Sequence, residues 1–234
     1  MTEAHDRALA KAHAQSAIDA ASNALARGAL TQREWHRAVT DALADAYLAE
    51  DDPRWQSGFD GDPQLWREAR AFLLDAVPHS GSFLDVGAAN GHLIESLALW
   101  ARERGIDLDF FGLELSPRLA ATARNRLPAL ADQVFTGNVV DWSPRRRFTY
   151  VRTGLEYVPT DQAPALVQRL RDVFLEPGGR LLVGPISVDQ RAETIEVFRA
   201  VDATPNEVSA VDRNGKTRLV IWTTVAEGPT REAV

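Results

Sequence analysis

Between Ser82 and Gly184 the chain alternates short apolar runs with segments of helical period, and this alternation most narrows what it can fold into. Strands joined by crossover helices lie parallel and are covered on both faces, so they read as continuous apolar runs. Such runs occupy 82–86, 108–113, 133–136, 148–152 and 179–184. Helices are expected to begin near Gly91, Ser116 and Thr160, with Pro117 at the first helical position after Ser116, and Ser143 can start at most a short one. Two further runs, 207–212 and 216–226, flank Asn214-Gly215, the pair that most favours a type I′ hairpin. The pattern predicts an α/β fold: a seven-stranded, mostly parallel, doubly wound sheet that ends in an antiparallel hairpin.

The N-terminal third is helical in character. Residues 3–27 are Ala-rich and stop at Gly28, a C-cap signal. Thr31 and Glu34 have capping-box spacing, and Trp35, Val39, Leu43 and Ala46 then recur at helical intervals. Residues 51–61 break the pattern. Asp62 and Pro63 start a third helix through Trp66, Phe72, Leu73 and Val77, which Pro78 ends. The expected organisation is a helical cap or lid over 1–77 and a sheet domain over 78–234.

Composition excludes several classes. A net charge of -7 disfavours phosphate backbones and anionic lipid, so neither nucleic acid nor membrane is an expected partner. The chain has no cysteine, which removes disulfides, Cys-ligated metals and thiolate nucleophiles. His5, His13, His36 and His79 show no ligand spacing, so no metal is expected. The first residues are charged, and no run of about eighteen apolar residues occurs, so a cytoplasmic location is expected.

The chemistry concentrates in Phe83-Leu84-Asp85-Val86-Gly87-Ala88-Ala89-Asn90-Gly91-His92-Leu93. A strand ends at Asp85, and the small residues Gly87, Ala88, Ala89 and Gly91 let a ligand lie against the backbone ahead of a helix N-terminus. A dinucleotide turn would need a third small residue where His92 stands, and Asp85 would repel a pyrophosphate. A cationic ligand fits better.

This segment resembles motif I of the class I S-adenosylmethionine (SAM)-dependent methyltransferases, with Ala89 where the family's second glycine falls. Three further segments resemble the family in order. Phe110-Phe111-Gly112-Leu113-Glu114-Leu115-Ser116 is a strand ending in an acid, Gly137-Asn138-Val139-Val140-Asp141-Trp142 is the loop after strand three, and Leu175-Glu176-Pro177-Gly178-Gly179 is the turn into strand five. The resemblance covers about 81–187 and implies SAM as cofactor and S-adenosylhomocysteine (SAH) as product. It implies that Asp85 organises the methionine ammonium, that Gly87, Ala88, Ala89, Asn90 and Gly91 cradle the cofactor, and that Glu114, next to Leu115, accepts the ribose hydroxyls. Asn138, beside Val139, would meet the adenine, and Arg152 would border the cofactor at the end of strand four.

The same resemblance puts the catalytic groups near strand four, where Glu156 or Tyr157 could orient or deprotonate an acceptor, with His92 as a further candidate base. Trp55, in the loop Arg54-Trp55-Gln56-Ser57-Gly58-Phe59, could pack beside the sulfonium by cation–π attraction or staple the helical cap together. The expected activity is methyl transfer to O, N or C of a small-molecule acceptor, in natural-product or secondary metabolism. Two alternatives stand beside it: cyclisation or elimination of SAM, and a catalytically silent partner protein. The Ala-rich first helix offers a homodimer contact.

Overall fold

The computed structural model describes residues 3–226, with side chains from Leu9 onward; the His5 side chain and residues 227–234 lie outside them. Seven strands form one sheet: β1 (Gly81–Val86), β2 (Leu108–Glu114), β3 (Val134–Thr136), β4 (Phe148–Thr153), β5 (Leu175–Ser187), β6 (Asn206–Val211) and β7 (Thr217–Thr224). Their order is β3-β2-β1-β4-β5-β7-β6. β1 through β5 pair in parallel, and β7 pairs antiparallel with both β5 and β6. The order reverses between β2 and β4 on either side of β1. That reversal opens a crevice at the carboxyl ends of the strands, the place where open α/β sheets bind ligands.

Seven α-helices accompany the sheet among the described residues: α1 (Glu3–Ala26), α2 (Gln32–Tyr47), α3 (Pro63–Arg70), α4 (His92–Glu103), α5 (Pro117–Arg126), α6 (Ala163–Arg169) and α7 (Arg191–Arg199). One sheet face buries Phe83, Phe110, Tyr150 and Leu182 beneath α3 and α4, and the other buries Leu84, Val151, Leu181 and Ile221 beneath α6 and α7. Local chemistry sets the helix starts. Thr31 and Glu34 exchange capping-box bonds, the Asp62 side chain accepts from two amides, and Ser116 caps α5 ahead of Pro117.

Four expectations need correction. No helix follows Ser143: Pro144 and three arginines leave no room for a turn before β4. The third helix changes at Arg70 to 3-10 turns over Ala71–Ala76. β5 is 13 residues long rather than six, because Leu175 pairs with Phe148 across an irregularity before the main register resumes. α7 went unread, although Ser187 and Gln190 have capping-box spacing and do exchange those bonds ahead of it.

The terminal hairpin exists, but its turn is not type I′. Gly215 has φ 75 while Asn214 does not have positive φ. The Gly215 N–H donates to Asp212 O at 2.8 Å and the Asp212 N–H to Lys216 O at 3.1 Å, the pattern of a type I turn closed by a left-handed glycine. Asp212 decides this geometry, because its Oδ1 accepts from the amides of Asn214 and Lys216. A Cβ on Gly215 would meet nothing within 4 Å, so only backbone strain opposes one. Gly215→Ala should therefore lower stability by about 1 kcal/mol with an unchanged denaturant m-value. Urea unfolding of the two proteins measures this directly.

Candidate functional site

The crevice is built around two carboxylates on adjacent strands. Asp85 is 1 % exposed, and its register partner across β1 and β4 is Arg152. Arg152 Nη1 donates to Asp85 Oδ1 at 3.0 Å and Nε donates to Gly184 O at 2.6 Å. Asp85 Oδ2 is buried with no hydrogen-bond partner. Burial pushes the Asp85 carboxyl above the usual carboxylate range, against the pull of Arg152.

Glu114, at the end of β2, is buried and accepts the Ala89 amide at Oε2 and the Ser116 amide at Oε1, both at 2.8 Å. Burial raises its pKa and the backbone amides oppose that rise. The Leu115 amide also contributes, so three amides face four lone-pair positions and some acceptor capacity remains. Leu115 follows, only partly buried.

The turn between the carboxylates has positive φ at Gly87 (78), Ala89 (47) and Gly91 (78). The family's glycine at the Ala89 position thus answers a backbone requirement as well as the room that one methyl group takes. Ala88 is buried against the sheet. Gly87 faces Tyr157 so closely that a Cβ there would lie 1.8 Å from the phenolic oxygen.

Asn90 is fully buried, and its side chain holds the loop between α2 and α3. Nδ2 donates to Pro53 O at 2.9 Å and to Gln56 Oε1 at 3.0 Å, while Oδ1 accepts from Ser57 Oγ at 2.6 Å and the His92 amide at 3.1 Å. Its hydrogen-bonding capacity is thereby spent within the protein.

Helix α2 reaches the same crevice through His36, a residue that sequence reasoning set aside as a scattered histidine. His36 Nε2 lies 2.8 Å from Tyr157 O, so it carries the proton, and Nδ1 lies 3.3 Å from Asn138 Nδ2, which donates to it. Asn138 Oδ1 accepts from the Val140 amide at 3.1 Å. Val139 is buried beside it. A histidine on the inward face of an amphipathic helix was the only available signal.

Trp55 lies in the loop between α2 and α3. Its indole N–H donates to Ala46 O at 2.9 Å, which joins that loop to α2, and its ring lines a cleft of about 190 Å³ with Ala14, Ile18, Leu43 and Tyr47. His92 stacks on Trp66 with centroids 5.0 Å apart and pairs with Glu95 at 2.9 Å. Burial holds its pKa below the ordinary histidine value. Burial and Glu156 push the Tyr157 phenol well above its ordinary value, which favours its protonated form. Glu156 is exposed and lines a cleft of about 190 Å³ with Leu155, Val158, Ile186 and Glu193.

No protein-family model and no curated protein sequence matches the chain. Solved structures do. The 1,6-didemethyltoxoflavin-N1-methyltransferase of Burkholderia thailandensis, bound to 1,6-didemethyltoxoflavin and SAH, superposes with a TM-score of 0.62 at 18% identity, over 85% of this chain and 92% of its own. DesVI of Streptomyces venezuelae gives 0.53 at 18% identity, over 70% and 93%. The SAM-dependent methyltransferase SibL, in its apo form, gives 0.56 at 16% identity, over 83% and 59%. The fold is that of the class I methyltransferases. Within the described residues of this methyltransferase fold, no group of three metal-ligating side chains occurs, and no helix is long and apolar enough to cross a membrane.

Two predictions follow from this geometry. Asn90→Ala strips the loop between α2 and α3 of its anchors and leaves buried polar groups unpaired, a cost of about 1–3 kcal/mol. Limited proteolysis should then cut within 51–58 faster than in the wild type. For His92, a folded-state pKa below the unfolded value means that the unfolded chain takes the proton first. Stability should fall as pH drops through the ordinary histidine value toward the lower folded one, and His92→Gln should flatten that slope in thermal melts between about pH 7 and 5.

Proposed function

We propose that this chain is a SAM-dependent methyltransferase acting on a small-molecule acceptor. One observation carries the reading: two buried carboxylates at the ends of neighbouring parallel strands flank a turn with positive φ, and both keep acceptor capacity facing the crevice. Asp85 Oδ2 suits an ammonium, and the spare lone pairs of Glu114 suit a pair of vicinal hydroxyls. SAM has both groups and no phosphate, and when bound it supplies an electrophilic methyl group.

The protein's own contribution is binding, orientation and exclusion of water. Gly87 through Gly91 let the ligand approach the backbone, and Asn138 with Val139 border the adenine end. Arg152 fixes the Asp85 carboxylate and keeps Oδ2 directed away from the ion pair. The Tyr157 phenol must turn off Gly87 to admit the cofactor, after which its O–H can orient the acceptor. Glu156 is the carboxylate at the end of β4 that can take the acceptor's proton. Rate enhancement then comes mainly from holding nucleophile and methyl in line in a site closed to water. In this reading 1–77 serve as the cap and 78–234 as the catalytic domain. An acceptor from natural-product metabolism suits such a compact, capped enzyme, and the neighbour bound to 1,6-didemethyltoxoflavin likewise takes a small molecule.

Calorimetric titration with SAM and SAH is the test. Wild type should bind both, Glu114→Ala should weaken binding by at least about tenfold, and Asp85→Asn should do likewise. Failure of the wild type to bind would leave a shared ancestry without the activity. Accumulation of methylthioadenosine from SAM alone would replace methyl transfer with cyclisation or elimination.

A further inference from the structure

Two arginines meet on one buried ring at the edge of this crevice. The Arg70 guanidinium lies 5.1 Å from the Phe59 centroid and 5.0 Å from that of Trp66, and the Arg218 guanidinium lies 5.9 Å from Phe59. Phe59 itself is 6% exposed and packs edge-on against Trp66 at 5.2 Å, so the ring is a fixed platform.

Neither cation is neutralised in full. Arg70 forms no ion pair among the described residues; its one hydrogen bond goes from Nη1 to Ala69 O at 3.1 Å. Arg218 Nε is buried without a hydrogen bond, and its ion-pair partner, Asp212 Oδ2, stands 3.8 Å away while Oδ1 serves two turn amides. Arg152 is bound to Asp85, and the carboxylates of Glu114 and Glu156 lie in the same region. Burial, with Arg152 and Arg218, pulls Arg70 down to about 9, which leaves it cationic at neutral pH. Over Phe59 itself, two guanidiniums thus meet a single loosely placed carboxylate, inside a protein whose net charge is -7.

The location separates this pair from the cofactor seat. Arg218 opens β7 and pairs with Ser187 at the carboxyl end of β5, three strands from β1 in the sheet order. At ~4.8 Å per strand that is roughly 14 Å from the backbone of the Asp85 strand. Arg70 ends α3 and acts electrostatically on Asp85 and Tyr47, so it stands between the two regions.

We propose that Arg70 and Arg218, held on the Phe59 ring, clamp an anionic group, carboxylate or phosphate, of the methyl acceptor. The inference rests on the methyltransferase reading and names its substrate class: an acid whose charge is seated on the β5–β7 side while its nucleophile faces the cofactor. Forked guanidiniums suit such planar or tetrahedral oxyanions.

The experiment uses the full chain with 15N-labelled arginine, saturated with SAH, at constant ionic strength. Benzoate and inorganic phosphate are titrated in, with benzamide as the neutral control. The Nε–H resonances of Arg70 and Arg218, assigned through Arg70→Gln and Arg218→Gln, should shift saturably with at least one anion and not with benzamide. Either variant should abolish the saturable response of the other arginine, while SAH affinity in Arg218→Gln changes by no more than about twofold. If Arg218→Gln does not fold, Arg218→Lys keeps the charge and loses the fork, and should bind the anion at least about fivefold more weakly. No saturable shift with either anion, an equal response to benzamide, or a loss of SAH affinity of about tenfold in Arg218→Gln would overturn the proposal. The last outcome would make the clamp the seat of the cofactor carboxylate. A wild type that binds no SAH would defeat the methyltransferase reading alone, because the anion titration can still be read on the unliganded chain.

Discussion

The ion pair between Asp85 and Arg152 organises this molecule. The two residues are register partners on β1 and β4, at the reversal of strand order, and the carboxylate is almost wholly buried. Burying a charge there is tolerable only because the opposite charge comes from the neighbouring strand; removal of either partner typically costs about 3–5 kcal/mol. Arg152 also ties down Gly184 O, so one guanidinium joins β1, β4 and β5 at their carboxyl ends. What the pair leaves undone is as important: one carboxylate oxygen remains without a partner inside a closed site. Structural ion pairs usually satisfy both oxygens. The unsatisfied oxygen here, on a strand end that leads into the turn at Gly87, is the feature on which the proposed ligand reading rests.

Within 1–77, α3 and the turns that follow it are packed into the apolar core on one sheet face, whereas α2 and the loop over 51–58 meet the crevice residues through polar contacts. Asn90 gives its whole side chain to that loop, His36 joins α2 to Tyr157 O and Asn138, and Gln32 reaches Gln162 at 2.6 Å. Arg118 and Asp45 tie the far end of α2 to α5. Each of these bonds is worth about 1 kcal/mol net, so the attachment is specific in position yet weaker than core packing.

Much of this was legible in the sequence, for identifiable reasons. Apolar runs and capping residues act locally, so the seven strands, the starts of α2, α3 and α5, and the acids at the ends of β1 and β2 could be read from their neighbours alone. The failures arise where distant residues decide. Asn214-Gly215 favours type I′ in isolation, but the Asp212 carboxylate captures two amides and imposes a type I turn. The bond from Trp55 to Ala46 O at the end of α2 has no mark in the loop's own sequence. His36 carried no motif, and its importance comes wholly from residues 102 and 121 positions away. The pairing of Arg70 with Arg218 joins α3 to β7 and has no sequence signature at all.

The charge distribution follows from the same division of labour. Acidic side chains dominate the composition, yet the edge of the crevice carries arginines stacked on aromatic rings: Arg70 on Phe59 and Trp66, Arg218 on Phe59. Aromatic faces stabilise a guanidinium without neutralising it, whereas a carboxylate partner would cancel its field. A chain with acids to spare that holds two cations by ring faces, with only Asp212 at a loose 3.8 Å, keeps their field available to whatever enters. Within low-dielectric walls that field is screened far less than on the surface. The crevice thus has a carboxylate oxygen without a partner on the β1 side and two ring-held guanidiniums toward β7, so its two ends differ in the chemistry they present.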